Sequence, residues 1–449
     1  MSPAARRILL SVVVIVVVAL GVGIWIIRGP GPLAFADGPK VALADYRGAN
    51  PTGVPAALAQ ASLVERGAYL ARAADCLACH TTKDGKEYAG GLAFKLPFGA
   101  LYSTNITPDK ETGIGNYSDQ DFLNAVHRGI RRDGARLYPA MPFTSYTYMT
   151  DADALAIKAY LFSLPPARAA IPANTLTFPF NQRWSMVFWS ALFNPDRRFE
   201  PDTSKSPEWN RGAYLAEAMA HCGECHTPRN LAFALDNRKK FAGAVAAGWR
   251  AFNISSDKTT GVGAWRDEDL VSYLSIGHAD GHGTASGPMG EAVDHSLSYL
   301  AQQDIRAVVA YLRAVPPTPS PDLPATVAPP APPSHKDGRS PPDPRGKMVF
   351  EGACVSCHGW TGESPISPFA TLTGTWAVND PSATNVAQIV ISGTRRHVPE
   401  GAVSMPAFGN THSDAEIAAV TNYVTARFGS KASQLTAKDV AELRKQASQ

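Results

Sequence analysis

The sequence predicts a mainly α-helical protein of three tandem domains behind an N-terminal hydrophobic helix, with an aromatic-rich and a Pro-rich connector between the domains. Three observations predict this. A Cys-x-x-Cys-His run occurs three times, as CLACH at 76–80, CGECH at 222–226 and CVSCH at 354–358, and these runs hold all 6 cysteines. Each follows an amphipathic segment that repeats: RGAYLARAADCLACHT from Arg66, RGAYLAEAMAHCGECHT from Arg211 and RGKMVFEGACVSCHG from Arg345. Each domain then closes on a helical pattern with a tyrosine seven residues after an acidic residue: Asp153 to Tyr160, Asp304 to Tyr311 and Glu416 to Tyr423. An opening and a closing helix are therefore expected to pack together around each run.

In chain order, residues 1–30 come first. Ile8 to Ile27 carries no charge and no proline, and as a helix it would be about 30 Å long, the thickness of a bilayer's hydrocarbon core. Arg6 and Arg7 precede it, so the positive-inside rule keeps the N-terminus cytoplasmic and sends the chain after Arg28 outward. The competing reading is a cleaved signal peptide, with Ala34-Phe35-Ala36 as an A-x-A site, although such apolar cores run only about 7 to 15 residues. Both readings export the chain.

The first domain is expected at 56–168. A connector at 169–200 follows, in which Trp184, Phe188 and Trp189 form one side of a short helix. That helix either dips into the membrane interface, docks on a partner, or packs between the first two domains. The second domain, 201–315, repeats NITPDKETGIG from Asn105 as NISSDKTTGVG from Asn253. In the linker 316–344, 12 of 29 residues are proline, which predicts an extended spacer and a third domain, 345–430, that is tethered rather than fused. The tail 431–449 has an amphipathic helical pattern and no identifiable chemistry.

Composition excludes more than it assigns. A chain of 449 residues suits roughly three domains. With 42 basic against 39 acidic residues, nothing points to nucleic acid or a strongly acidic partner.

In an exported protein six cysteines ordinarily suggest disulfides, but this spacing does not. Two thiols three residues apart and a histidine directly after them lie on one helical face and can meet one planar ligand. Haem c has that shape: Cys76, Cys79, Cys222, Cys225, Cys354 and Cys357 would form thioethers, and His80, His226 and His358 would bind three irons. Zinc ribbons need a second Cys-x-x-Cys roughly 15 to 20 residues away, and no βαβ pattern supports a thioredoxin-like dithiol. The domains are therefore expected to be cytochrome c domains.

Methionine is the candidate sixth ligand in each: Met141 in YPAMPF, Met289 in GPMG and Met405 in SMPAF, all expected in Pro- or Gly-punctuated loops before the closing helix. Flexible core filling is the competing role for these methionines. Histidines 127, 278, 282, 295, 397 and 412 are the alternative ligands. Arg128, Arg131 and Arg395 are candidate partners for haem propionates, and His221 for a propionate or a surface contact.

From about Ala61 to Gly429 the chain resembles the triple-haem cytochrome c subunit of bacterial membrane-bound dehydrogenases acting on alcohol, gluconate, sorbitol or aldehyde. The resemblance is carried by FGALYSTNITPDKETGIGNYSD, LYPAMPF, FPFNQRW, RGAYLAEAMAHCGECHTPRN and MPAFG. It implies an electron-transfer subunit without its own substrate-oxidising site, at the inner membrane with its haem domains facing the periplasm. A separate catalytic subunit holding pyrroloquinoline quinone, FAD or molybdopterin would deliver electrons, and ubiquinone would accept them. The chain has no G-x-G-x-x-G fingerprint or hydrolase signature that would contradict this. A free-standing membrane-anchored cytochrome feeding a terminal oxidase is the alternative, and a haem that reduces a small molecule at a vacant sixth position is a third reading.

Overall fold

Three crossings of an opening and a closing helix organise the computed structural model, which describes residues 2–320, 322–323, 343–398 and 401–447. The opening helices are Leu63–Ala73, Pro207–Tyr214 and Pro344–Ala353. Each packs on the closing helix of its own pair: Asp151–Ser163, Gln302–Ala314 and Asp414–Phe428. Local sequence starts several of them, with Ser62 and Glu65, and Ser413 and Glu416, forming reciprocal caps, and Ser206 capping the helix that begins at Pro207. One glycine per crossing lets the backbones meet. A Cβ on Gly67, Gly212 or Gly346 would overlap the carbonyl oxygen of Ala156, Ala307 or Ala419, and in each case Tyr160, Tyr311 or Tyr423 is the next neighbour.

The first two pairs share one hydrophobic core, in which Leu70 and Ile157 pack with Tyr214 and Tyr311. They are joined by a reciprocal exchange. The Tyr214 hydroxyl of the second opening helix donates to Asp153 Oδ2 of the first closing helix at 2.5 Å, and Tyr69 of the first donates to Asp304 Oδ2 of the second, also at 2.5 Å. Asp304 also receives Arg211 through both oxygens, at 2.9 and 2.6 Å, and the Gly53 amide donates to Asp153 at 2.8 Å. Both buried carboxylates are thus hydrogen-bonded, Asp304 through both oxygens and Asp153 twice through Oδ2.

The third pair lacks these groups. Met348, exposed, stands where the others have Tyr69 and Tyr214, and Glu416, in the place of Asp153 and Asp304, caps its own helix. It has a separate core around Phe350, Val424 and Phe428, and the tail helix Ala437–Ala447 packs Val440 into a further small cluster with Ile391 and Ile417.

That third pair is docked on the second, against the expectation of a free tether. Asn385 exchanges two hydrogen bonds with the Arg250 backbone at 2.8 and 2.9 Å, the Trp376 amide reaches His282 O at 3.1 Å, and Trp265 packs on Trp376 at 5.0 Å. Proline content predicts local extension but carries no information about docking surfaces further along. Of the linker, 316–320 packs onto the second pair, with Thr318 O accepting from Asn253 at 2.7 Å. The rest of it, apart from 322–323 and 343–344, lies outside the described residues.

The N-terminal helix Pro3–Arg28 is, among the described residues, the one helix long and apolar enough to cross a membrane. Its last turn rests on the loop around 230–238: Asn230 donates to Ile27 O at 2.9 Å and Arg238 to Ile26 O at 3.2 Å. Four two-stranded antiparallel hairpins, which the sequence patterns did not anticipate, complete the described structure.

Since a methyl group at Gly212 meets backbone and not a movable side chain, Gly212→Ala should destabilise the shared core by about 3 kcal/mol, the upper end of ordinary overpacking. The check is the denaturant midpoint followed by far-UV circular dichroism; an unchanged midpoint would show that the crossing tolerates separation.

Candidate haem sites

Each Cys-x-x-Cys-His run leaves its opening helix through a short helical turn: Cys76–His80, Gly223–His226 and Val355–His358. Before the first two, Asp75 and His221 take left-handed backbone conformations, φ 52° and 39°, which redirect the chain. All six cysteines are free. Burial pushes the Cys76 and Cys222 thiols up to about 12 and those of Cys225 and Cys354 to about 11.

The three histidines share one contact. His80 Nδ1 lies 2.6 Å from Thr104 O, His226 Nδ1 2.6 Å from Phe252 O, and His358 Nδ1 2.6 Å from Ala370 O. A carbonyl can only accept, so Nδ1 carries the proton and the Nε2 lone pair is left for a metal. Burial lowers the proton affinity of all three rings against the opposing pull of these carbonyls, which keeps them neutral.

The repeated asparagines explain how the first two carbonyls are aimed. Asn105, next to Thr104, donates to Ala167 O at 2.6 Å and accepts from the Thr107 amide at 2.9 Å. Asn253, next to Phe252, does the same with Thr318 O at 2.7 Å and the Ser255 amide at 2.8 Å. In the third site a short 3-10 turn, Pro368–Ala370, presents the carbonyl instead.

One continuous cavity of about 1330 Å³ reaches all three runs. Cys79, Cys222, Cys225, His226, Cys354 and His358 line it, together with Met289 and Met405. Its remaining wall is largely aromatic and aliphatic, including Phe94, Trp249, Trp265 and Trp376. Paired thiols, a histidine with a free Nε2 and an apolar slot fit haem c, and no cluster of metal-binding side chains competes among the described residues.

Comparisons with known proteins agree. Residues 64–165 match the family model for cytochrome c, and 341–424 that for cytochrome c oxidase, cbb3-type, subunit III. The chain is 38% identical over 416 residues to the fructose dehydrogenase cytochrome subunit of Gluconobacter japonicus, spanning 88% of this chain and 85% of that one. The gluconate 2-dehydrogenase cytochrome c subunit of Pantoea cypripedii is 38% identical over 401 residues, 86% of this chain and 90% of its own. The cytochrome c subunit of alcohol dehydrogenase (quinone) from Gluconacetobacter polyoxogenes is 36% identical over 399 residues, 86% and 85% of the two chains. The chain belongs to this family of dehydrogenase cytochrome c subunits. Covalently bound haem c and electron transfer come with that membership.

Within this cytochrome subunit the candidate sixth ligands are placed unevenly. Met289 lies on the helix Gly287–His295 and Met405 ends the strand Gly401–Met405, so neither occupies the loop expected from its flanking Gly or Pro. Pro288 sits in the helix's first turn, where its missing amide costs nothing, so here it starts a helix. Met141 is in a loop as expected and packs on the shared core, between Ala140 and Pro142, which line the cavity.

Of the alternative histidines, His282 lines the cavity, while others have contacts of their own. His278 contacts Thr284 and Asp280 at 2.9 and 3.0 Å, His282 stacks on Trp265 at 3.7 Å, and His412 Nδ1 meets the Thr411 hydroxyl at 3.0 Å. His295 closes the Met289 helix, where its carbonyl accepts from Arg72 at 3.3 Å, while the His397 side chain lies outside the described residues. His221 packs edge-on against Tyr146 at 5.5 Å, an interior contact and not a surface one.

The arginine expectations shift too. Arg128 pairs with Asp196 at 2.7 Å, Arg131 with Asp133 at 2.8 Å, and Arg395 is exposed. Next to Arg395, Arg396 has a buried guanidinium, which donates to Gly290 O and Ile276 O and lies 3.2 Å from Asp294. Sequence reading passed over it because Arg395 and Arg396 differ only by strand phase.

His127, another candidate ligand, is 1% exposed beside Asp151 at 3.6 Å. Burial, reinforced by Arg198 and Arg128 and opposed by Asp151 and Asp196, lowers it to about 4. An unfolded histidine titrates near 6.5, so as pH falls from about 6.5 to 4 only the unfolded state gains a proton. Stability should drop by about 2–3 kcal/mol across that window. His127→Gln should flatten the dependence of the unfolding midpoint on pH there; an unaltered slope would assign the loss to other groups.

Proposed function

We propose that this cytochrome subunit holds three haem c groups and passes electrons from a separate catalytic dehydrogenase subunit to ubiquinone in the membrane. In the first site, 56–168, Cys76 and Cys79 attach the haem and His80 and Met141 ligate iron. In the second, 201–315, Cys222 and Cys225 act with His226 and Met289, and in the third, 345–430, Cys354 and Cys357 with His358 and Met405. The observation that carries this reading is the Nδ1-to-carbonyl contact, repeated at 2.6 Å in all three sites beside one continuous cavity.

Haem c supplies, when bound, a one-electron centre whose potential follows its axial ligands and burial. The chain's part is position and exclusion of water. The carbonyls hold each imidazole's tautomer and plane, the apolar wall keeps the dielectric low, and methionine sulfur favours the reduced iron. The relatives' names support a catalytic partner of the dehydrogenase class and differ in substrate, fructose, gluconate and alcohol; a partner containing pyrroloquinoline quinone, FAD or molybdopterin is part of the proposal. The N-terminal helix, in which Arg6 and Arg7 precede the apolar run Ile8 to Ile27, supports an inner-membrane anchor with the haem sites on the periplasmic side.

Gentle solubilisation of native membranes followed by capture of this chain tests the assignment. A stoichiometric large dehydrogenase and three haems per chain by haemochrome absorbance are expected. Recovery with only oxidase components, or alone, would make the chain a free-standing carrier. A second test addresses the ligands: Met405→Ala should remove about a third of the near-infrared charge-transfer band typical of methionine-ligated ferric haem, since one of three such haems is lost. Undiminished intensity would exclude Met405.

A further inference from the structure

Several large apolar side chains stand exposed around the point where the N-terminal helix ends. Leu231 is fully exposed, and Phe178, Trp184, Phe188 and Phe233 are between 50% and 78% exposed. They belong to two segments, the connector and the 230–238 loop, that are fixed to each other: Trp189 of the helix Met186–Phe193 donates to Ala232 O at 2.7 Å, and Phe180 lies 6.1 Å from Phe233. The loop is fixed in turn to the last turn of the N-terminal helix and the residues after it, through Asn230 to Ile27 O, Arg238 to Ile26 O and Asn237 to Pro30 O.

These bonds set a depth. If Ile8 to Ile27 spans the hydrocarbon, the carbonyls of Ile26 and Ile27 lie at its outer boundary, and residues bonded to them lie at the same level. Trp and Phe are the side chains that occupy that level most favourably. We propose that the connector and the 230–238 loop form a second membrane contact, seated in the outer lipid interface beside the anchor. This rests on the anchor reading of the N-terminal helix. It divides the membrane-interface and packing readings of the connector residue by residue: Trp189 packs inward, 6.0 Å from Phe143, while Trp184 and Phe188 face out.

Phe178, Trp184, Leu231 and Phe233 also line the cavity that reaches Cys79 and Cys225. The seating therefore turns one mouth of that cavity toward lipid, where an apolar acceptor dissolved in the bilayer arrives without crossing water.

The test uses the full haem-loaded chain in vesicles of phosphatidylethanolamine and phosphatidylglycerol containing a phospholipid with a photoactivatable diazirine on its acyl chain. Peptide mass spectrometry then locates the label. Label on 178–188 and 231–233 in addition to 8–27 is expected, and Phe188→Glu should lose it from its own segment with the haem spectrum unchanged. Label confined to 8–27 overturns the seating and leaves the anchor intact. Label on the two segments of a mature chain that lacks 8–27 keeps the seating and overturns the anchor; no label anywhere overturns both.

Discussion

The close approach of opening and closing helices at Gly67, Gly212 and Gly346 is the constraint from which the other positions follow. At these points a backbone carbonyl occupies the space a Cβ would need, so the helices cross at one place and in one way. The tyrosine one turn further on, Tyr160, Tyr311 or Tyr423, packs over the same glycine and fixes the register along the closing helix. The Cys-x-x-Cys-His turn begins within about three turns of helix after the crossing glycine, at Cys76, Cys222 and Cys354, so the crossing limits where the thiols and the histidine emerge. Interiors pack too densely for such a contact to drift, and the site inherits its precision.

Pairing of the first two units follows from two residue types in each. A tyrosine on the opening helix reaches an aspartate on the other unit's closing helix, and the exchange is mutual. The carboxylates are buried, which is costly unless they are hydrogen-bonded, and Arg211 on Asp304 and the Gly53 amide on Asp153 add to the two tyrosines. Loss of one member would strand a charge, so the two units are held as one body. The third unit, with Met348 and Glu416 at those positions, cannot enter the exchange and uses a different face.

What could be read from the sequence was what depends on local spacing. The three Cys-x-x-Cys-His runs, the opening and closing helices and the apolar N-terminal helix were all legible, because period and spacing are properties of neighbours in the chain. Asn105 and Asn253 were visible as a repeat, but their work was not, since it lies in pointing the preceding carbonyl at a histidine more than twenty residues away. The hairpins were missed because two of them have strands of three or four residues with no sustained alternation of apolar and polar positions. Docking of the third unit was missed for a different reason. It depends on individual side chains, Asn385, Trp376 and Arg396, whose partners are over a hundred residues distant or nearly so.

Arg396 shows what that docking accomplishes. It sits on the strand Thr394–Val398, paired with Gly401–Met405 so that Thr394 lies opposite Met405. Its guanidinium donates to Gly290 O, the carbonyl directly after Met289. One side chain therefore ties the segment bearing the third methionine to the helix bearing the second. A lysine could not substitute, because the planar fork serves Gly290, Ile276 and Asp294 at once. Nor does pH release it, since a guanidinium stays charged throughout the range in which the protein works. Relative placement of the second and third sites is thus held by a permanent buried charge, together with the Asn385 exchange and the Trp265–Trp376 contact.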